Sequence, residues 1–248
     1  MNNDENIVLA SLLVIGDEIL SGRTVDQNIN FLAKNLSEIG ISLREVRVVG
    51  DLEDEIITAI NELRKKYNYV FTSGGIGPTH DDITSLSIAK AFNTDLILNE
   101  VAHKILIQHY GEKNVNEARL KMAYIPKTAS LLDNPISSAP GFRIENVFVM
   151  AGIPKIFQAM FEASKKQLKI GCKIISREIK ILLTESIIAK DLTDLQNCYR
   201  DISIGSYPFE GGTSLVLRGF NKDILEEVFL KMKNFIIKID PNAIIEIL

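Results

Sequence analysis

Tyr69-Val-Phe-Thr-Ser-Gly-Gly-Ile-Gly-Pro-Thr-His-Asp-Asp-Ile-Thr84 passes from an apolar segment, through a glycine-rich bend, into a polar start and a helical pattern. Tyr69 to Thr72 have the length and composition of a buried strand. Gly74, Gly75 and Gly77 permit positive φ and let a ligand approach the backbone closely. Thr79 and Asp82 stand in the Thr-x-x-Asp relation of a helix start, which predicts a helix from Asp81 to about Phe92 that buries Ile83, Leu86 and Ala89. A helix N-terminus behind such a loop offers free N–H groups to an anion. Asp81 and Asp82 act against this, because two carboxylates repel a bare phosphate. A phosphate ligand here calls for a divalent cation between it and the carboxylates, or for a separate subsite.

Outward from that stretch, strands and helices alternate. Ile7 to Ile15 is apolar apart from Ser11 and reads as a strand buried on both faces, ending at Gly16-Asp17-Glu18. The run is too short to span a bilayer and lacks a basic leader. Val25, Ile29, Leu32, Leu36 and Ile39 recur at helical spacing, and Gly40 fits the stop. Ser42 to Val49 form a second strand, and Ile56, Ile57, Ile60, Leu63 and Tyr67 mark the next helix. Further helices are predicted over Asn99 to Tyr110 and Val115 to Ala123. A loop follows at 134–141, then a strand from Val147 to Met150 and a helix opened by Pro154. This order builds βαβ units, so the fold class is α/β with a mostly parallel sheet.

Ligands of open parallel sheets bind beyond the carboxyl ends of the strands. Three predicted strands end in glycine-bearing loops, at 16–18, 73–77 and 152–154. Parallel strands bring these loops to one edge, together with Asp17, Glu18, Asp81 and Asp82 and the hydroxyls of Ser73, Thr79 and Thr84. Hard oxygen donors beside backbone N–H groups suit a phosphate site of the Mg²⁺ type. Pro140-Gly141 reads as a pocket-lining turn or as a purely structural one. Arg143 and Lys155 are cations that could pair with phosphate, although exposed salt bridges account for most such residues.

The pattern changes near Gly171. A strand over Lys173 to Thr184, a helix over Ile187 to Tyr199, strands at Ile202 to Tyr207 and Thr213 to Arg218, a helix from Lys222 to about Ile237 and a strand from Ala243 predict a β-α-β-β-α-β order. Two domains are expected, 1–170 and a small α+β domain over 171–248. The net charge of -4 provides no basic field for nucleic acid. The second domain also lacks the Gly-x-x-Gly clamp of an RNA-binding module. Cys172 and Cys198 have no metal-ligand spacing, which fits reduced thiols in a cytoplasmic protein.

Gly16-Asp-Glu-Ile-Leu20, followed by Gly22, Asp26 and Asn28, and Thr72-Ser-Gly-Gly-Ile-Gly-Pro-Thr-His-Asp-Asp-Ile-Thr84 resemble the molybdopterin-binding domain shared by the MoaB/Mog proteins. They are closer still to the amino-terminal domain of the competence/damage-inducible CinA proteins and to the related domain of FAD synthases. The resemblance covers roughly residues 7–170. Ile204-Gly-Ser-Tyr-Pro208 and Thr213 to Gly219 look like the small domain that follows in CinA-type proteins.

The resemblance implies a three-layer sheet and a pocket for a phosphorylated pterin (molybdopterin) or a nucleotide. It further implies metal-dependent hydrolysis of a nucleotide pyrophosphate such as ADP-ribose or FAD, with Mg²⁺, Mn²⁺ or Co²⁺. By position, Asp17, Asp81 and Asp82 become the acidic catalytic and metal-binding residues. Ser73, Gly74, Gly75, Gly77 and Thr79 hold phosphate, with Asn28, Thr84, Pro140 and Gly141 nearby. Ile156 stands where the family typically has an acid, and Ser137-Ser138 stand in place of Gly-Thr. These substitutions keep a non-catalytic binding module as the alternative. The nicotinamide mononucleotide deamidase domain of CinA lies outside the resemblance. The partners expected are a small phosphorylated ligand and further copies of the chain, with neither nucleic acid nor membrane.

Overall fold

The computed structural model describes residues 7–248, which divide into two compact units at Gly171/Cys172. The first unit opens with strand β1 (Val8–Ile15), the short helix α1 (Asp17–Leu20), helix α2 (Asn28–Glu38), strand β2 (Ile41–Val49), helix α3 (Glu53–Lys66) and strand β3 (Tyr69–Ser73). Helix α4 (Thr84–Ala91), strand β4 (Leu96–Leu98), helices α5 (Glu100–Tyr110) and α6 (Glu117–Lys121), and strand β5 (Tyr124–Pro126) follow. Strands β6 (Ser130–Leu132), β7 (Gly141–Ile144) and β8 (Val147–Met150) and helix α7 (Pro154–Ser164) complete the unit.

The six-stranded sheet has the order β2-β1-β3-β8-β7-β6. The first four strands are parallel, and the hairpin-connected β7 and β6 are antiparallel. Its two faces are both covered. Val8, Ala10, Leu12 and Val14 of β1 pack with Leu32 and Leu36 of α2 and Phe157, Met160 and Phe161 of α7. Leu13 and Ile15, one step out of phase, pack with Ile56, Ile60 and Leu63 of α3 and Ile88 of α4. Alternation by two thus sends the residues of one apolar strand into two separate cores. The result is the three-layer α/β architecture. The aromatic centre of the first core is Phe71, with ring centroids 5.3 Å from Phe148 and 5.7 Å from Phe161.

Several local expectations need correction. The helix after the glycine loop begins at Thr84, not Asp81. The Asp82 carboxylate accepts from Thr79 N–H at 2.8 Å, and Thr84 N–H donates to Gly75 O at 2.9 Å. Residues 79–83 are therefore a self-contained turn, and Leu86 is exposed, not buried. Val25 is 82% exposed and precedes α2, so it takes no part in that helix's apolar face. Residues 115–123 hold only the five-residue α6, and the residues that follow pair as β5 with β4 in a small separate ribbon.

On edge strand β2, Glu45 gathers three donors: Lys66 Nζ at 2.7 Å, Tyr67 O–H at 2.6 Å and Arg47 Nε at 2.6 Å. The hydrogen bond from Lys66, then those from Tyr67 and Arg47, hold its carboxyl down at about 2, against an ordinary 4.5. A depressed carboxylate contributes stability that is complete above its unfolded value and is lost as pH falls through the folded one. Unfolding free energy is expected to decline between pH 4.5 and 2. In Glu45→Gln this part of the decline, about 1 kcal/mol after allowing for the solvent-exposed Lys66, should be absent from acid titrations followed by circular dichroism.

The second unit contains β9 (Ile175–Ile181), α8 (Glu185–Cys198), β10 (Ser203–Phe209), β11 (Gly212–Gly219), α9 (Lys222–Ile239) and β12 (Ile244–Ile247). The β-α-β-β-α-β order is present, with an antiparallel sheet ordered β10-β11-β9-β12. Leu225, Val228, Met232 and Ile236 of α9 close its core against Ile179, Ile181, Leu215 and Leu217. Among the described residues, no helix is long and apolar enough to cross a membrane.

Candidate functional site

β1, β3 and β8 are parallel neighbours, so their carboxyl ends open side by side. The loops leaving them are packed backbone to backbone. Gly74 N–H donates to Met150 O at 3.1 Å, and a Cβ on Gly152 would stand 3.2 Å from Gly74 Cα. Gly74 (φ +111°) leaves only 2.2 Å between an added Cβ and Ile15 O. Gly75 (φ +69°) leaves 2.0 Å to Thr84 Oγ1. The glycines are thus required both by the backbone conformation and by the close approach of neighbouring chain.

These loops line a cavity of about 770 Å³. Gly16, Gly74, Gly75 and Gly77 contribute backbone to it. Glu18, Asp51, Asp81 and Asp82 contribute carboxylates, and Ile76, Met122, Ile153 and Ile156 contribute apolar surface. Tyr110, Asn134 and Ser137 also line it, and Arg119 is its one basic residue. A shallower groove of about 410 Å³ in the second unit lies along α8 and β10. Several of its polar groups are already engaged: Glu185 accepts from Ser206 Oγ at 2.5 Å, and Gln196 bonds the backbone of Ile202 and Ile204.

Of the expected residues, Gly74, Gly75, Gly77, Asp81 and Asp82 face the cavity. Thr79 lies beside it, its hydroxyl shared between Asp81 Oδ1 at 2.5 Å and Asp82 Oδ2 at 2.6 Å. The single hydroxyl proton serves one carboxylate at a time. That contact, first among its causes, holds the Asp81 carboxyl below the usual carboxylate range. Ser73, Thr84 and Asn28 are buried beneath the loops. Thr84 Oγ1 donates to Gly74 O at 3.1 Å. Asn28 Nδ2 donates to Ser73 Oγ and Gly152 O, both at 2.8 Å, tying the start of α2 to the ends of β3 and β8. Asn28 Oδ1 is buried without a partner, and Asn28 lines a second small cavity that also borders Glu18, Thr24 and Gly152.

Asn28→Ala is expected to leave Ser73 and Gly152 without their donor. It should lower stability by about 2 kcal/mol, or the melting temperature by about 4–8 °C, measured by thermal denaturation.

Pro140 and Gly141 are buried and do not line the cavity. A Cβ on Gly141 would stand 2.2 Å from Val149 O, so this glycine serves the pairing of β7 with β8. Arg143 and Lys155 are likewise outside the cavity lining. The Arg143 guanidinium lies over Phe148, 4.8 Å from its centroid, and its Nε donates to Glu145 O. Asp17 opens α1 with its carboxylate toward Gly50 and does not line the cavity. Its N–H donates to Asp51 Oδ2 at 3.0 Å.

Asp51 is the site residue that the sequence reading passed over. Burial pushes its carboxyl up; Asp17 N–H works against that, and the charges of Asp17, Glu18 and Asp81 add to the rise. A signal for it exists: Val49-Gly50-Asp51 repeats after β2 the pattern of Ile15-Gly16-Asp17 after β1. Tyr110, Arg119 and Met122 carry no comparable local signal, because α5 and α6 reach the cavity through tertiary packing. Among the described residues, no three His, Cys, Asp or Glu side chains are gathered closely enough to hold a metal ion by themselves.

Residues 11–169 match the family described as a probable molybdopterin-binding domain, and residues 173–240 match the FAD synthase middle domain. A protein of Pyrococcus abyssi is 34% identical over 243 residues, covering 91% of this chain and 96% of its own length. A putative competence-damage inducible protein of Clostridium botulinum is 34% identical over 221 residues, covering 83% of this chain and 53% of its own. A probable FAD synthase of Caenorhabditis elegans is 34% identical over 225 residues, 43% of its own length. The chain thus spans about half, or less, of these two longer relatives. The crystal structure of the protein CinA, of unknown function, from Thermoplasma acidophilum superimposes with a TM-score of 0.62 at 36% identity, over 65% of this chain and 98% of that one. With the family matched over residues 11–169, and with a relative at 34% identity over 91% of this chain, the chain belongs to the probable molybdopterin-binding domain family, in its CinA-like branch.

Proposed function

We propose that the cavity binds a phosphorylated nucleotide or pterin and hydrolyses a nucleotide pyrophosphate of the ADP-ribose or FAD type. The observation that supports this reading is the opposition of a glycine backbone floor to Glu18, Asp51, Asp81 and Asp82 in one cavity. Backbone N–H groups of Gly75, Ile76 and Gly77 suit phosphoryl oxygens, that of Gly74 being taken by Met150 O. Four carboxylates and one arginine line the same cavity, which leaves an excess of negative charge there.

The donors are hard oxygens but too few converge for a resident ion, which fits a cation such as Mg²⁺ that arrives with its phosphates and takes one or two carboxylates. One or two of Asp51, Asp81 and Asp82 would hold it, with Asp17 fixing Asp51 through its N–H. Such a cation, when bound, neutralises phosphoryl charge. The chain's own part is to fix the phosphates against the glycine floor and to accept a proton from the attacking water on a carboxylate. Water oxygen bonds to phosphorus, the bridging P–O bond breaks, and two phosphate monoesters leave.

A second reading, a binding module without turnover, is favoured by a specific observation. Ile156 and Ser137, the two departures from the family motif, both line the cavity. Incubation of the purified chain with ADP-ribose and with FAD, with and without Mg²⁺, Mn²⁺ or Co²⁺, separates the two. Metal-dependent AMP release is expected; tight binding with no AMP under any condition would leave the binding module alone standing.

A further inference from the structure

Arg119 is the single cation among the lining residues of a cavity with four carboxylates. Among the described residues it forms no ion pair, although Glu18, Asp51, Asp81 and Asp82 border the same space. Its position is nevertheless fixed. The guanidinium lies 4.2 Å over the Tyr110 ring, and one nitrogen donates to Asn114 O at 2.7 Å. Asn116 caps its backbone N–H at 3.0 Å, and Lys121, two residues on, donates to Thr79 O in the turn that carries Asp81 and Asp82. One face and one of five N–H donors are thus used for anchoring, and the rest of the fork is left without a protein acceptor.

A flexible cation near four carboxylates would collapse onto them. An arginine held on an aromatic face instead presents its planar fork in advance to an acceptor with two oxygens, such as a phosphoryl group. We propose that Arg119 binds a second phosphoryl group of the ligand. The first occupies the glycine and carboxylate end, so the site selects diphosphates over monophosphates. This rests on the pyrophosphate-binding reading of the cavity and adds to it the residue that recognises the second phosphoryl group.

The test uses two probes that differ by one phosphoryl group, AMP and its α,β-methylene diphosphate analogue, which cannot be cleaved at the bridge. Both are titrated calorimetrically in Mg²⁺ against the full chain. Wild type should prefer the diphosphate. Arg119→Gln should weaken the diphosphate by about 10- to 100-fold and AMP by less than about threefold, as loss of one charge-assisted contact to a single group requires. Arg119→Lys, which keeps the charge without the fork, should recover part of the loss, and melting temperatures should stay equal. A Gln variant that binds both probes like wild type, or loses both equally, overturns the proposal. Its failure is separable from that of the hydrolase reading. Arg119-dependent preference without AMP release from ADP-ribose keeps the arginine and removes the hydrolase. Metal-dependent AMP release with an Arg119→Gln variant of unaltered preference does the reverse. Wild type binding neither probe overturns both.

Discussion

Gly74→Val is expected to lower the melting temperature of the first unit by about 8–16 °C, the consequence of about 4 kcal/mol spread over a unit of this size. Two independent effects combine. The backbone there sits at φ +111°, a region that β-branched residues rarely enter. An added Cβ also meets Ile15 O at 2.2 Å, a backbone atom of the central strand that cannot swing aside. Relief requires β1 and β3 to part at the edge where they are neighbours, or Gly74 to shift against β8 and strain the hydrogen bond it donates to Met150 O. Gly22→Ala is the control, because Gly22 also has positive φ (+73°) but nothing within 4 Å of its Cβ position. That change should cost about 1–2 kcal/mol, for conformation alone. If circular dichroism melts of the two variants coincide, the close packing of the β1 and β3 loops is not what requires glycine at 74.

The parts of this architecture that are encoded in short runs could be read from the chain. β1, β3 and β8 are continuous apolar stretches closed by glycine, and their parallel order follows from the helices between them. That logic correctly brought the loops at 16, 74 and 152 to one edge. It was less able to say which way a side chain at a strand end turns. Asp17 and Asp51 both follow a strand and a glycine, yet Asp51 faces the cavity while Asp17 turns to Gly50. Asp51 was overlooked because Gly50-Asp51 precedes a strongly helical segment and reads as its lead-in. The Thr79–Asp82 pair was identified as a helix start; the hydrogen bond is there, but Gly75 O captures Thr84 N–H and delays the helix to Thr84. Tyr110 and Arg119 belong to a helical excursion between β4 and β5, and only the three-dimensional path of that excursion brings them over the glycine loop. Ser73 was expected to hold phosphate, with Asn28 and Thr84 nearby; in the structure the three are buried and hydrogen-bonded beneath the glycine loops.

Asp82→Asn is expected to reduce metal-dependent AMP release from ADP-ribose by about 10²–10⁴-fold while leaving the melting temperature within about 2 °C of wild type. The substitution is chosen because Asp82 does two things at once. It accepts from the N–H and hydroxyl of Thr79, holding the turn, and a Cβ on Gly77 would stand 2.6 Å from its Oδ2. Asparagine keeps an oxygen in that place and the same volume, so the turn and the loop shape survive. What it removes is one of the negative charges facing the glycine floor. If the carboxylates of this cavity serve a cation and a water, charge is what matters, and turnover collapses in a folded protein. Asp82→Ala should lose both roles, with the same drop in turnover and an added loss of stability of about 1–2 kcal/mol from the freed Thr79 N–H. Thr79→Val separates them in the other direction, loosening the turn while all four carboxylates remain. A variant Asp82→Asn that turns over ADP-ribose at the wild-type rate would reduce Asp82 to a structural brace, and the acidic centre would then have to be sought at Asp51 and Asp81.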